Sequence, residues 1–291
     1  MVRNHKAMKN ILVLSDFSAN ATHAAYTGAM IAKRLHANIL LFNASMAKPA
    51  YAGGPTLAED VFFVEEDNCD RLKDLACQIA DSMEKGENNW KPSVHQEVRL
   101  STLASGIKSL AKEKTIEMIV MGAREGSSID HFLAGSDTFS VIDHANRPVL
   151  VIPHDTDVND LKKVVFATNF AEPDIEAIRY LVKLRSIFNF HLEIVHVDLL
   201  ADNDITKELR KTEFMKYIHQ LHHSAINVQE IHGKDVANRL SRLCDESGAD
   251  LLAFTHYHDS IFSKVFRQST TRKALEKQKM PMLIFPSEFE V

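Results

Sequence analysis

The sequence predicts an α/β protein, made of βαβ units with a mainly parallel sheet covered on both faces, and it predicts that arrangement twice. Short apolar runs of strand length alternate with amphipathic stretches of helix length, which is how parallel crossover units read. The same succession of runs returns in the second half of the chain, at an offset of 153 positions early and 133 later. The chain has 291 residues, 45% hydrophobic and 25% charged, enough for two cores where one domain takes roughly 100 to 200 residues.

Ile11-Leu12-Val13-Leu14 is the opening strand, and Asp16-Phe17-Ser18 ends it and supplies a helix cap. Ala25, Gly28, Ala29, Ala32 and Leu35 recur at helical spacing, a small-residue face suited to close packing on a sheet. Ile39-Leu40-Leu41-Phe42 is the second strand. A loop with Pro and Gly runs from Ser45 to Asp60, and a helix follows through Leu72, Leu75, Ala76 and Ile79. Val94 to Leu100 alternates as a strand, and Leu103, Ile107, Leu110 and Ala111 mark the next helix. Met118 to Met121 is strand four. Val149-Leu150-Val151-Ile152 is strand five, bracketed by Pro148 and Pro153 as edge strands often are.

After a polar linker at His154 to Asp160 the order begins again with Val164-Val165-Phe166-Ala167, and Phe170 answers Phe17. Val236, Leu240, Leu243 and Cys244 answer Leu103, Ile107, Leu110 and Ala111, and Pro281 to Pro286 answers Pro148 to Pro153. The offset falls by 20 positions between strands two and three, so the second copy lacks most of the first long loop and its second helix is shorter. Matched spacing over a whole domain signals duplication. The expected domains are 1–154 and 161–291, meeting as a homodimer's subunits would.

A net charge of −5 and a pI near 6.3 give no field that attracts nucleic acid or anionic lipid. Cys69, Cys77 and Cys244 have no metal-ligand spacing, and the first two, if on one helix, are too far apart for a disulfide. No stretch approaches a membrane span, and Ile11 to Leu14 is too short for a signal peptide's apolar core. A reducing, cytoplasmic location is the expectation.

The chemistry concentrates where strand four runs into Gly122-Ala123-Arg124-Glu125-Gly126, with Gly135-Ser136 opening the next helix. Glycine lets backbone N–H groups approach a phosphate, and a helix N-terminus adds unpaired donors and a positive dipole end. The same residues also describe an ordinary glycine turn with Ser136 as N-cap.

These residues resemble the universal stress protein family in its tandem two-domain form, over nearly the whole chain. The carriers are the opening strand ending in Asp16-Phe17-Ser18, the Gly122 to Ser136 loop, and Arg147-Pro148-Val149-Leu150-Val151-Ile152-Pro153. The family's loop reads glycine, two residues, glycine, nine residues, glycine, then serine or threonine. Gly122, Gly135 and Ser136 keep that spacing, whereas Glu125 holds the second glycine position and Gly126 comes one place late. The resemblance implies five parallel strands per domain in the order 3-2-1-4-5, with ATP or ADP at the carboxyl ends of strands one and four. On that mapping Asp16 faces the adenine, Asn43 and Ala44 flank the base, Gly122, Gly135 and Ser136 hold ribose and phosphates, and the two proline-bracketed end strands pair with each other to join the halves. Asp16 reads equally as a loop-bracing carboxylate.

Glu125 opposes this site. A carboxylate about 5 Å from a phosphate charge costs about 3 kcal/mol at an effective dielectric near 20, roughly a hundredfold in affinity. Bridging Mg²⁺, a swing of Glu125 into solvent, or Gly126 taking over the close approach would relieve it, and Arg124 is placed to offset charge. In the second copy Thr255, Tyr257 and Gln268-Ser269 replace Gly122, Arg124 and Gly135-Ser136, and Asn169 replaces Asp16. With Phe262 and Phe266 in the loop and no glycine after Gly248, this half is not expected to bind ATP by the motif. His219, His222 and His223 could share a helical face, and His256 and His258 lie past strand four; solvated or hydrogen-bonded histidines are expected rather than a metal site. Lys264, Arg267, Arg272 and Lys273 read as a solvated helix start. Ser109 and Lys112 match a Ser-x-x-Lys spacing by chance, and no phosphoryl-transfer motif is present. Three readings stand at this point: a non-catalytic stress protein with a nucleotide in its first domain, an interaction module without nucleotide, and a slow ATP hydrolase.

Overall fold

The structure is a computed structural model describing residues 8–45, 58–83, 90–123, 136–154, 156, 158, 160–199, 206–221, 226–257 and 280–291. The chain divides into two compact units, Met1–Gly122 and Ala123–Val291.

The first unit runs β1 (Asn10–Leu14), α1 (Ala19–Leu35), β2 (Asn38–Ser45), α2 (Ala58–Ser82), β3 (Val94–Leu100), α3 (Leu103–Glu113), β4 (Ile116–Gly122). Its strands are parallel in the order β3-β2-β1-β4. Ile11, Leu12 and Val13 are fully buried, as an unbroken apolar run requires of a central strand covered on both faces. Ser18 caps α1 by accepting from the Ala21 N–H, and Thr102 caps α3 from Ser105. The small-residue face of α1 meets the sheet at Gly28, where a Cβ would stand 2.8 Å from Cγ2 of Val13.

The second unit runs α4 (Ser136–His144), β5 (Val149–Ile152), β6 (Lys163–Ala167), α5 (Glu172–Phe188), β7 (His191–Leu199), α6 (Lys207–Gln220), β8 (Ile226–Gly233), α7 (Val236–Ser247), β9 (Leu251–His256), β10 (Met282–Pro286). The strand order is β5-β10-β9-β6-β7-β8, and all of these pairs are parallel except β5 with β10. Counted from β6, the five strands β8-β7-β6-β9-β10 have the order 3-2-1-4-5. Leu283 stands opposite Leu150 in the antiparallel pair, so the two proline-bracketed runs are each other's partners and β10 is not an edge. That pairing places β5 in the second unit although its sequence closes the first copy. In the linker Val158 is buried, so the connection is not polar throughout.

The described elements of the two copies correspond in order, and the counterpart of α4 lies outside the described residues. Helices α1 and α5 both have 17 residues, and each ends on a left-handed residue, His36 at φ 51° and Asn189 at φ 57°. The second helix shortens from 25 residues in α2 to 14 in α6, as the change of offset anticipates. No helix among the described residues is long and apolar enough to cross a membrane.

Candidate functional site

Strands β1 and β4 are parallel neighbours with Val13 opposite Val120, so the chain leaves both at the same edge of the sheet. Four hydrogen bonds set the loop after β1. Asn43 Nδ2 donates to the Ser15 carbonyl at 2.8 Å, the Phe17 N–H to Ser15 Oγ at 3.2 Å, the Ser18 N–H to Asp16 Oδ1 at 3.0 Å, and the Ala21 N–H to Ser18 Oγ at 3.1 Å. They hold Phe17 at φ 64°, a left-handed conformation uncommon for a bulky residue. Asp16 is exposed and braces this turn through one carboxylate oxygen.

Asn43 is buried, and its Oδ1 has no hydrogen-bond partner. Ala44 follows it on β2, half-buried opposite Arg99. The Arg71 guanidinium of α2 stands 4.1 Å from the centre of the Phe17 ring. No spacing pattern in the sequence signals that contact, because it links a helix to a loop fifty-odd residues away.

Gly122 has a packing reason of its own. A Cβ there would lie 2.5 Å from both the carbonyl carbon and oxygen of Asn20 and 2.8 Å from the Ala21 nitrogen. The end of β4 therefore rests on the first turn of α1, a turn without acidic residues. Arg124, Glu125, Gly126 and Gly135 lie outside the described residues. Ser136 opens α4, where the spacing places a helix start, and its side chain lies outside them too.

In the second copy the same turn recurs with other side chains. The Phe170 N–H donates to Thr168 Oγ1 at 2.9 Å and the Ala171 N–H to Asn169 Oδ1 at 3.0 Å, with Phe170 at φ 63°. The Thr168 carbonyl accepts from His196 Nδ1 at 2.8 Å, as the Ser15 carbonyl does from Asn43. That bond fixes the proton on Nδ1 and leaves Nε2 an acceptor. Burial pushes the His196 pKa down. The imidazole stacks on Phe170 at 4.4 Å, and Phe214 of α6 meets that ring edge-on at 5.3 Å.

Asp174, in the first turn of α5, was not among the sequence candidates. Its buried carboxylate accepts from Thr168 Oγ1 at 2.7 Å, the Asn169 N–H at 3.2 Å and the Tyr257 hydroxyl at 2.9 Å. Burial raises its pKa while its hydrogen bonds pull the other way. Tyr257 is pushed up by burial and by the Asp174 charge. An acidic residue three places past an N-cap was the available signal.

The other candidates that are described make ordinary contacts or face solvent. His256 closes β9, with Nε2 at 2.8 Å from Asp143 Oδ1, and His219 is exposed. His222, His223, His258, Phe262, Lys264, Phe266, Arg267, Gln268, Ser269, Arg272 and Lys273 lie outside the described residues. The Ser109 hydroxyl donates to Glu113 at 2.7 Å, and Arg99 clasps that carboxylate with both terminal nitrogens, so Ser109 is not set against Lys112. No group of three or more His, Cys, Asp or Glu among the described residues is placed to hold a metal ion.

Comparison with known proteins gives a consistent picture. The model of the universal stress protein family matches residues 8–153. A universal stress protein of Methanocaldococcus jannaschii is 28% identical over 153 residues, 52% of this chain and 86% of that protein. Universal stress protein G of Shigella flexneri is 41% identical over 59 residues, and that match spans 20% of this chain and 41% of the relative. Among solved structures, a universal stress protein from Archaeoglobus fulgidus superposes with a TM-score of 0.71 at 19% identity, covering 95% of this chain and 96% of that one. One described as a putative universal stress protein from Pseudomonas aeruginosa gives 0.58 at 13% identity, over 97% and 94%.

Proposed function

The chain belongs to the universal stress protein family, and from that premise we propose that residues 1–154 form a non-catalytic domain binding ATP or ADP, and that residues 161–291 form a duplicate that has lost this capacity. One contrast between the copies carries the reading. In the second copy the carboxyl ends of β6 and β9 are bridged by the chain's own carboxyl group, Asp174, held by Tyr257 and Thr168. At the matching offsets the first copy has Ala21 and Arg124, so no carboxylate of its own stands in the first turn of α1. A helix start without acidic residues accommodates an added anion, whereas one already holding a carboxylate repels it.

On this reading Asp16, Asn43 and Ala44 meet the base, and Gly122, Arg124, Gly126, Gly135 and Ser136 the ribose and phosphates, while the Glu125 charge weakens the site. The nucleotide acts as a structural or regulatory ligand in the cytoplasm. The pairing of β5 with β10 supports an intramolecular pseudo-dimer, for which light scattering is expected to report a monomer.

Calorimetry with Mg-ATP on the whole chain is expected to give one site, unaffected by Tyr257→Phe and tightened by Glu125→Gly, with no turnover of bound nucleotide. Absence of heat at millimolar nucleotide in the wild type sinks the reading, with binding by Glu125→Gly alone marking the site as degenerate, and robust turnover replaces it with the hydrolase.

A further inference from the structure

The loop after the first strand is the same turn in both copies, so the groups packed against it can be compared directly. In the second copy the ring of Phe170 is closed off: His196 stacks on it at 4.4 Å, Phe214 meets it edge-on at 5.3 Å, and it is 3% exposed. In the first copy Phe17 is only half-buried. The place of His196 is taken by Asn43, which has no ring to stack, and the place of the Phe214 ring against the loop is taken by the guanidinium of Arg71 at 4.1 Å.

Arg71 is exposed, with a side chain 52% accessible, and among the described residues its ion-pair contact is a loose one to Asp67 at 3.9 Å. A guanidinium is planar and can offer a face to a second planar group while it keeps a cation contact with a ring, which a lysine ammonium cannot do. The buried Oδ1 of Asn43, without a partner, is a further acceptor beside the same turn. His196 Nε2 is likewise without a partner, so the acceptor belongs to the position; the missing ring and the added guanidinium belong to the first copy alone.

Strand order decides which part of a ligand this pair would meet. Phe17, Asn43 and Arg71 lie at the β1 and β2 ends, whereas Gly122 ends β4 on the other side of β1. A ligand whose anionic group is held at the β4 side turns its uncharged ring system toward β2. We propose that Arg71 is a base-stacking residue of the first-copy site, its guanidinium sandwiched between the Phe17 ring and a planar heteroaromatic base carrying an N–H donor for Asn43. This inference rests on the nucleotide reading above and adds a residue that the family motif does not contain.

The test is calorimetry on the full chain with Mg-ATP and, separately, adenosine. Arg71→Ala is expected to weaken both by roughly tenfold, and Arg71→Lys by nearly as much, because the plane and not the charge makes the contact. Urea midpoints within error of the wild type are expected for both variants, since Arg71 is exposed. Unchanged affinities in a wild type that binds ATP overturn this inference alone. A loss confined to ATP and restored by lysine assigns Arg71 to the phosphates and overturns it as well. A wild type that binds neither ligand overturns the nucleotide reading along with it.

Discussion

Tyr257 donates its hydroxyl hydrogen to Oδ1 of Asp174 across 2.9 Å, and the carboxylate it meets is 1% exposed. Deleting that donor leaves a buried acceptor one bond short, so Tyr257→Phe is expected to cost about 1–3 kcal/mol of folding stability. A urea titration at neutral pH checks this, and a shift below half a kcal/mol means the bond is dispensable.

The same carboxylate sets a pH dependence. Burial raises the Asp174 pKa above its unfolded value, so between the two values the folded chain holds a proton that the unfolded chain has released. Its contribution is complete below the unfolded pKa and is lost as pH rises through the folded one. Asp174→Asn removes this titration, so the stability advantage of the wild type over the variant should shrink as pH is raised from acid toward neutral. Parallel urea curves for the two proteins across that range would mean that Asp174 does not titrate as its burial dictates.

Gly122→Ala separates packing from binding. The new methyl would fall 2.5 Å from the backbone of Asn20, which cannot swing aside as a side-chain end can. Overpacking of this kind costs about 1–3 kcal/mol, and the upper end is expected here. A fall in thermal midpoint without any nucleotide present is the readout. Weaker nucleotide binding by this variant would therefore not by itself place a phosphate at Gly122.

That result bears on how much the sequence could reveal. The apolar runs and the repeat located the strands of the first copy together with β6 and β10, because a strand buried on both faces must be continuously apolar and Ile11 to Leu14 is. Gly122 was legible as a glycine that something approaches closely, but the something among the described residues is the α1 backbone. Asp174 and Tyr257 were not legible as a pair, being 83 residues apart and joined only by the meeting of a helix start with a strand end. The pairing of β5 with β10 follows from no local pattern either, but it is what the resemblance implies for the two proline-bracketed runs.

Thiol chemistry offers an independent check of the packing. Cys69 and Cys77 are exposed on α2, whereas Cys244 is buried on α7 and burial pushes its pKa up to about 12. Ellman's reagent at pH 8 should titrate two thiols in the folded protein and the third only after urea is added. Three fast thiols without denaturant would mean that α7 does not turn Cys244 toward the core.

The two copies also predict what Asn43→His does. The histidine would find the partners His196 has: a carbonyl at Ser15 to receive its Nδ1–H, and a Phe17 ring held in the same left-handed turn as Phe170. A stacked pair of this kind contributes about 0.5–1.5 kcal/mol, so the variant should be as stable as the wild type or slightly more so. Its imidazole would replace the Asn43 amide that the N–H of the base is proposed to meet, so nucleotide affinity should fall while stability does not. That combination is the signature of a site kept open at the expense of packing. A variant that loses more than about 1 kcal/mol and binds nucleotide as before would show that the two loops, alike in backbone, are not interchangeable in their surroundings.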